Sequence, residues 1–241
     1  MRSDALVVVP TYNEASNLPD LIGAVRRYAD LLIVDDGSPD GTGRLADDIA
    51  AEDRGTMVLH RPTKSGLGPA YAAGFARALD GDWKVVVQMD ADFSHDPADI
   101  PRLLAAVDAG ADMVIGSRYV EGGSVRNWPW HRRLLSRGGN RYARLMTGCP
   151  THDMTAGFRA FRRDALERLD PTSCGASGYG FQIEMARRAH LLGLNQVEVP
   201  IVFTERIAGS SKMTASIAFE AIWLVTRWGW DRITGRVAWP A

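Results

Sequence analysis

Cysteine is nearly absent. Cys149 and Cys174 are the only two in 241 residues, too few for a disulfide framework and without the spacing of a metal-ligand set. A reduced, cytoplasmic setting is therefore expected. Long apolar runs are missing too. No stretch approaches the roughly 18 apolar residues of a membrane-spanning helix, and the nearest, residues 217–225, is broken by Glu220. Met1 leads into a strand-like run with no apolar leader. An integral membrane protein is disfavoured, and peripheral attachment stays open. His95, His131 and His152 match no zinc spacing. Gly66-Leu67-Gly68 begins a dinucleotide-type glycine pattern, but Tyr71 stands where its last glycine belongs. The segment also follows the third expected strand rather than the first, which excludes a nicotinamide dehydrogenase on this motif. There is no internal repeat, no low-complexity linker and no nucleic-acid recognition motif, so no nucleic-acid partner is expected.

What is present reads as one globular unit. Hydrophobic content is 46% and charged content 24%, ordinary for a folded domain. The net charge of -1 hides an asymmetry: residues 1–117 carry 10 Lys+Arg against 19 Asp+Glu, and residues 118–168 carry 11 against 4. A basic block after an acidic one suits a surface that meets phosphates or an anionic membrane. Arg26-Arg27 and Arg187-Arg188 read as solvated helix faces.

Strand and helix signals alternate through the first half. Apolar runs at residues 5–9, 31–34, 56–59, 83–89 and 112–115 lack polar alternation, and helical spacing marks 17–29, 41–53, 68–80 and 97–109. This pattern predicts an α/β three-layer sandwich around a mainly parallel sheet covered on both faces. In the second half the pattern predicts a loop over 117–128, a basic helix over 130–147 and a short strand over 158–161. A helix over 178–192, a strand over 195–203, a polar loop over 205–214 and an amphipathic helix over 215–227 complete the chain.

Ligands of such sheets bind beyond the carboxyl ends of the strands. Three of those ends are polar: Pro10-Thr11-Tyr12-Asn13-Glu14, then Asp35-Asp36-Gly37-Ser38-Pro39-Asp40-Gly41-Thr42, then Asp90-Ala91-Asp92. Glu14, Asp35, Asp36, Asp90 and Asp92 would share one rim, and that much like charge calls for a cation. Oxygen-only ligands suit Mg²⁺ or Mn²⁺, usually shared with a diphosphate.

In this order and spacing the three motifs resemble family-2 glycosyltransferases of the GT-A fold, and more closely the dolichol-phosphate (polyprenol-phosphate) mannose synthases. The agreement runs on through Gly66-Leu67-Gly68, Gly116-Ser117-Arg118-Tyr119, the segment from Asp153 to Arg159 and the segment from Glu205 to Met213. The resemblance implies that Pro10, Tyr12, Glu14, Val34, Asp35, Asp36 and Ala91 hold the nucleotide sugar. It implies that Asp90 and Asp92 hold the metal and donor diphosphate, with Ser94 reaching the metal through water. Arg118, Arg132 and Ser136 would hold the acceptor phosphate, and Arg206 and Lys212 would close over the diphosphate. Asp92, Arg118 and Arg206 would be the catalytic groups.

The resemblance further implies transfer of mannose from GDP-mannose to a polyprenyl phosphate, with inversion. Another donor such as UDP-glucose, another acceptor, or a non-catalytic nucleotide-sugar-binding subunit are the alternatives. No Gln-x-x-Arg-Trp occurs, since Leu224 precedes Arg227-Trp228 at the glutamine position, which argues against processive polysaccharide synthesis. Residues 1–215 would form the catalytic domain, its donor half ending near 117. Residues 216–241 would dock on the cytoplasmic face of a membrane or on a membrane-anchoring partner. Trp223, Trp228, Trp230 and Trp239 suit an interface, and packing on the catalytic domain is the competing role for this helix.

Overall fold

The apolar run before Pro10 forms the centre of a seven-stranded sheet. In chain order the elements are β1 (Arg2–Thr11), α1 (Leu18–Val25), β2 (Ala29–Asp35), α2 (Thr42–Glu52), β3 (Thr56–His60), α3 (Leu67–Leu79) and β4 (Val85–Gln88). Then come α4 (Ile100–Asp108), β5 (Met113–Ser117), β6 (Ser124–Arg126), α5 (Trp130–Thr147), β7 (Arg159–Arg162) and α6 (Arg163–Leu169). The last are α7 (Gly178–Leu191), β8 (Gln196–Pro200), β9 (Val202–Thr204) and α8 (Ala215–Ile233). This computed structural model describes residues 2–176, 178–205 and 215–236. Arg206 and Lys212, expected to close over a diphosphate, lie outside the described residues.

The main sheet has the order β3-β2-β1-β4-β7-β5-β8. β1 pairs in parallel with β2 and β4, β2 with β3, and β5 with β8. β7 alone in this sheet is antiparallel to its neighbours β4 and β5. Both faces are covered, which is why the strand sequences do not alternate. On one face Val7, Val9 and Ile33 pack with Leu21, Val25, Leu103 and Val107. On the other, Leu6, Val8 and Leu32 pack with Tyr71, Phe75, Leu166, Phe181 and Met185. A third cluster joins α5, α7 and α8 through Ala143, Ile183, Ala186, Ala221 and Val225. Tyr142 and Thr226 share a 2.7 Å hydrogen bond across α5 and α8.

Several sequence expectations shift. The strand expected over 195–203 divides at Ile201: β8 completes the main sheet, and β9 pairs with β6 in a separate two-stranded sheet. β6 lies within the expected 117–128 loop, because three residues of alternating exposure give no readable pattern. α6 was not expected; it buries Ala165, Leu166 and Leu169. Of the four arginines read as solvated, Arg27 is exposed and the other three are structural. Arg188 is 2% exposed and donates to the Leu169 and Asp170 carbonyls at 3.0 and 2.7 Å. Arg187 is buried as well. Arg26 bonds the Asp53 carboxylate at 2.6 and 3.0 Å and the Ala29 carbonyl at 2.8 Å, close to where α1 stops short of the expected residue 29.

Candidate active site

The strand order reverses between β1 and β4, since the chain builds outward through β2 and β3 and then returns to the other side of β1. Such a switch point opens a crevice beyond the carboxyl ends. Because β7 runs antiparallel, the segment preceding it, rather than following it, reaches the same rim. A cleft of about 320 Å³ lies there. Pro10, Tyr12, Glu14, Asp36 and Lys64 border one side of it. Asp90, Ala91, Asp92, His95, Thr155 and Gly157 border its middle, and Arg118, Trp128, Arg132, Tyr179, Gln182 and Phe203 close it.

The first two strand-end loops are stitched into one unit. The backbone N–H groups of Asn13, Glu14 and Ala15 donate to Ser38 Oγ, Thr42 Oγ1 and Asp40 Oδ2 at 3.0, 2.9 and 3.2 Å. Asp35 organises the turn from beneath, accepting from the Ser38 N–H at 3.1 Å and the Ser38 hydroxyl at 2.5 Å. Gly37 has φ 69°, and a Cβ there would meet the Pro62 carbonyl oxygen at 3.1 Å, so the turn needs glycine. Asp36 lines the cleft and pairs with Arg61 at 2.5 Å. Burial raises its carboxyl above the ordinary value despite that cation.

Asp90 and Asp92 are both oriented by the protein around them, and Asp90 Oδ2 also lies 3.7 Å from His95 Nε2. Tyr71 donates its hydroxyl to Asp90 Oδ1 at 2.8 Å. The Ser94 N–H donates to Asp92 Oδ1 at 3.0 Å. Burial and the Asp90 charge hold the Tyr71 phenol well above its usual pKa, so it stays a donor at neutral pH. Gly157 keeps space beside Asp90: a Cβ there would lie 3.0 Å from Oδ2. Two neighbouring carboxylates with this space beside them fit a hard divalent cation that takes its other ligands from a diphosphate and water. The five acidic residues expected on one rim do not form a cage. Among the described residues no group of three or more His, Cys, Asp or Glu side chains is arranged to hold a metal, because Asp35 is turned into its own loop and Asp36 is matched to Arg61.

Other expected site residues are placed differently. Val34 is fully buried in the core and outside the cleft lining. Ser94 is 4% exposed and borders a separate depression with Pro97 and Thr204. Ser136 is also outside the cleft lining and accepts from the Tyr119 hydroxyl at 2.6 Å. Arg118 borders the cleft, but its Nε and Nη2 donate to Asp153 at 2.7 and 2.6 Å, and Nη2 donates to Thr155 at 2.8 Å. Burial opposes the Arg118 charge, yet Asp153 outweighs it and raises the pKa. Asp153, buried too, is lowered by the same pairing. Arg118 therefore braces the wall as well as facing the cleft. Arg132 is better disposed toward a ligand: its guanidinium stacks 4.2 Å from the Trp128 ring centroid and pairs with Glu205.

Tyr71, Lys64, Trp128 and Gln182 were not singled out as site residues from sequence. Lys64 lies 4.0 Å from the Tyr12 ring centroid. It follows β3, so extending the strand-end rule to the third strand would have found it. Tyr71, Trp128 and Gln182 carry no local signal.

Residues 6–170 match the model of the glycosyl transferase family 2. The chain belongs to that family. It is a glycosyltransferase, and its sheet and helices have the GT-A architecture. Among relatives, a polyprenol monophosphomannose synthase from Mycolicibacterium smegmatis is 52% identical over 236 residues, 96% of this chain and 88% of that protein. An undecaprenyl-phosphate mannosyltransferase from Micrococcus luteus is 49% identical over 239 residues, covering 96% and 98% of the two chains. Among solved structures, a mannosyltransferase from Pyrobaculum calidifontis in complex with GDP-Man and Mn²⁺ aligns with a TM-score of 0.53 at 18% identity. It covers 100% of this chain and 77% of that one, a likeness of fold.

Proposed function

We propose that this glycosyltransferase moves mannose from GDP-mannose to a polyprenyl phosphate and releases GDP. The carrying observation is identity near one half, over almost the whole chain, to two proteins named for mannose transfer to polyprenyl carriers. The cleft suits the chemistry. The stitched loops around Tyr12, Glu14 and Asp36 would seat the nucleoside, and Asp90 and Asp92 would hold Mg²⁺ or Mn²⁺ and with it the donor diphosphate. When bound, that cation supplies charge neutralisation for the leaving diphosphate.

A phosphate monoester is anionic at neutral pH and needs no general base. One of its oxygens bonds to the anomeric carbon as the bond from that carbon to the diphosphate oxygen breaks, inverting the centre. Arg132, held by Trp128 and Glu205, would face the incoming phosphate, and Arg118 would add to the positive wall. The protein's main contribution is alignment in a partly desolvated cleft.

We assign residues 1–215 to catalysis and 216–241 to docking on the cytoplasmic face of a membrane or on a membrane-bound partner. α8 does pack on α5 and α7 through one side, but Phe219, Ile222, Trp223 and Trp230 on it are exposed, as are Trp130, Leu134 and Leu135 on α5. Arg133, Arg137 and Arg141 lie among the α5 side chains and are exposed as well, a composition suited to an anionic lipid interface. Among the described residues no helix is long and apolar enough to cross a membrane. Both cysteines are unpaired thiols, in keeping with a reducing compartment.

The test is a panel of nucleotide sugars offered with a short polyprenyl phosphate, with divalent metal and with chelator. Mannosyl lipid from GDP-mannose, abolished by chelation, is the expected product. Equal product after chelation would remove the role given to Asp90 and Asp92, and preference for another donor or acceptor would replace the reaction proposed.

A further inference from the structure

Among the described residues, one buried side chain bordering the cleft has no hydrogen-bond partner at either end of its amide. Gln182, on α7, is 2% exposed, and neither its amide nitrogen nor its amide oxygen has a partner among those residues. Burying an unsatisfied polar group is costly, so such a residue in a native cleft calls for a ligand. The surrounding frame fixes the backbone that carries it, starting with the Gln182 main-chain carbonyl. Arg159, fully buried, donates to the Gln182 carbonyl at 2.8 Å and to the carbonyls of Met154 and Ala156 at 2.8 and 2.9 Å. One guanidinium thus locks α7 to the 154–157 turn that carries Thr155 and Gly157. On the preceding residue, Phe181 stacks with Tyr71 at 6.3 Å, and Tyr71 bonds Asp90. The backbone of Gln182 is therefore tied to the same framework as the carboxylate assigned to the donor diphosphate.

The chemistry of the orphaned group narrows its partner. A carboxamide offers a donor and an acceptor, and here both are unmet. An ionised phosphate accepts only, and would leave the carbonyl oxygen bare. A cation would satisfy the oxygen and leave the NH₂ bare. A sugar hydroxyl both donates and accepts, and adjacent hydroxyls meet both ends of one amide. Exchanging the amide oxygen and nitrogen does not alter this argument, because both are unpartnered. Trp128 provides the contrast: its orphaned Nε1–H is a donor only, which suits an anionic oxygen beside Arg132.

We propose that Gln182 reads the hydroxyl pattern of the sugar being transferred and sets donor-sugar specificity. Its assignment to a sugar rests on the transferase reading above, and its assignment to mannose on the proposed donor. A polar side chain built to meet a hydroxyl discriminates strongly against an epimer that moves that hydroxyl, since the protein group is then left unpaired.

The decisive variant is Gln182→Met, which keeps side-chain length and removes both polar atoms. Calorimetry with GDP and with GDP-mannose is paired with kcat/KM for GDP-mannose and for its C2 epimer GDP-glucose, and with the thermal midpoint of the unliganded enzyme. The expected result is an unliganded midpoint at or above wild type and unchanged GDP affinity. GDP-mannose kcat/KM should fall about 10- to 100-fold, the size of two neutral hydrogen bonds, and the preference over GDP-glucose should shrink at least about tenfold. A lowered midpoint with unchanged sugar preference would make the amide structural and overturn the proposal. Equal losses for GDP and GDP-mannose would do so too, by moving Gln182 to the nucleotide. Should the donor panel select another nucleotide sugar, the same comparison is made with that donor and its nearest epimer. A failed mannose assignment then stays separate from a failed role for Gln182.

Discussion

The two walls of the cleft, proposed to meet donor and acceptor, carry opposite charges and hold them in different ways. On the proposed donor wall, Asp90 and Asp92 are partly exposed and accept hydrogen bonds from Tyr71 and from the Ser94 N–H. On the proposed acceptor wall, Arg118 is buried with Nε and Nη2 bonded to Asp153 and Thr155, and behind it the buried Arg159 donates to backbone carbonyls. On the reading proposed above, the carboxylates are ligands on one side while the guanidiniums are largely framework on the other. A charge near a cleft does not reveal its task; its burial and its protein partners have to be read with it.

Breaking the framework should do the most damage. Asp153→Asn leaves Arg118 buried beside a neutral partner and should cost about 3–5 kcal/mol, read as a lower midpoint in urea. The pH dependence has a definite sign. The folded Asp153 carboxyl is depressed, so its contribution is complete above the unfolded value of about 3.9. It is lost as pH falls below that value through the folded pKa. The wild type should therefore lose stability on acidification over that range, and Asp153→Asn should lose less. A variant as stable as wild type would erase the contrast between the walls.

Asp92→Asn tests the other side. Transfer should fall about 10²–10³-fold with the urea midpoint unchanged, a separation of activity from stability that Asp153 cannot show. Tyr71→Phe should have an intermediate effect: turnover down about tenfold through the lost charge-assisted hydrogen bond to Asp90, with about 1 kcal/mol of stability. Unaltered turnover would mean that Asp90 needs no orienting partner. The smallest structural effect belongs to the outer face of α8. Ile222→Ser with Trp223→Ser should move the midpoint by less than about 0.5 kcal/mol yet reduce co-sedimentation with anionic vesicles. Undiminished vesicle binding would return this helix to a packing role.

The donor wall was legible from sequence because its signals are local. Each apolar strand ends in its own polar motif, and parallel order alone carries Pro10–Glu14, Asp36 and Asp90–Asp92 to one rim. The basic helix over 130–147 was legible to the residue, since Pro129 precedes it and Gly148, with φ 74°, stops it. The acceptor wall was not. Arg187 and Arg188 read as solvated when they are buried, and the bracing of Arg118 by Asp153 was invisible, because burial is decided by segments far apart in the chain. Gln182 and Tyr71 are ordinary helix residues until α7 and α3 are packed together. β6 and α6 escaped because three to seven residues are too few for a period to show.

The reversed direction of β7 has a practical reach. Its exit leads away from the cleft: Arg163, at the start of α6, donates to the carbonyls of Leu79 and Gly81 just ahead of β4, at the opposite edge of the sheet. The exposed side chains of α6, such as Asp164 and Arg168, are thus a handle on the far side of the molecule. A fluorophore or surface tether attached there would leave the cleft facing outward, so that donor binding and lipid transfer could be followed on a single immobilised enzyme.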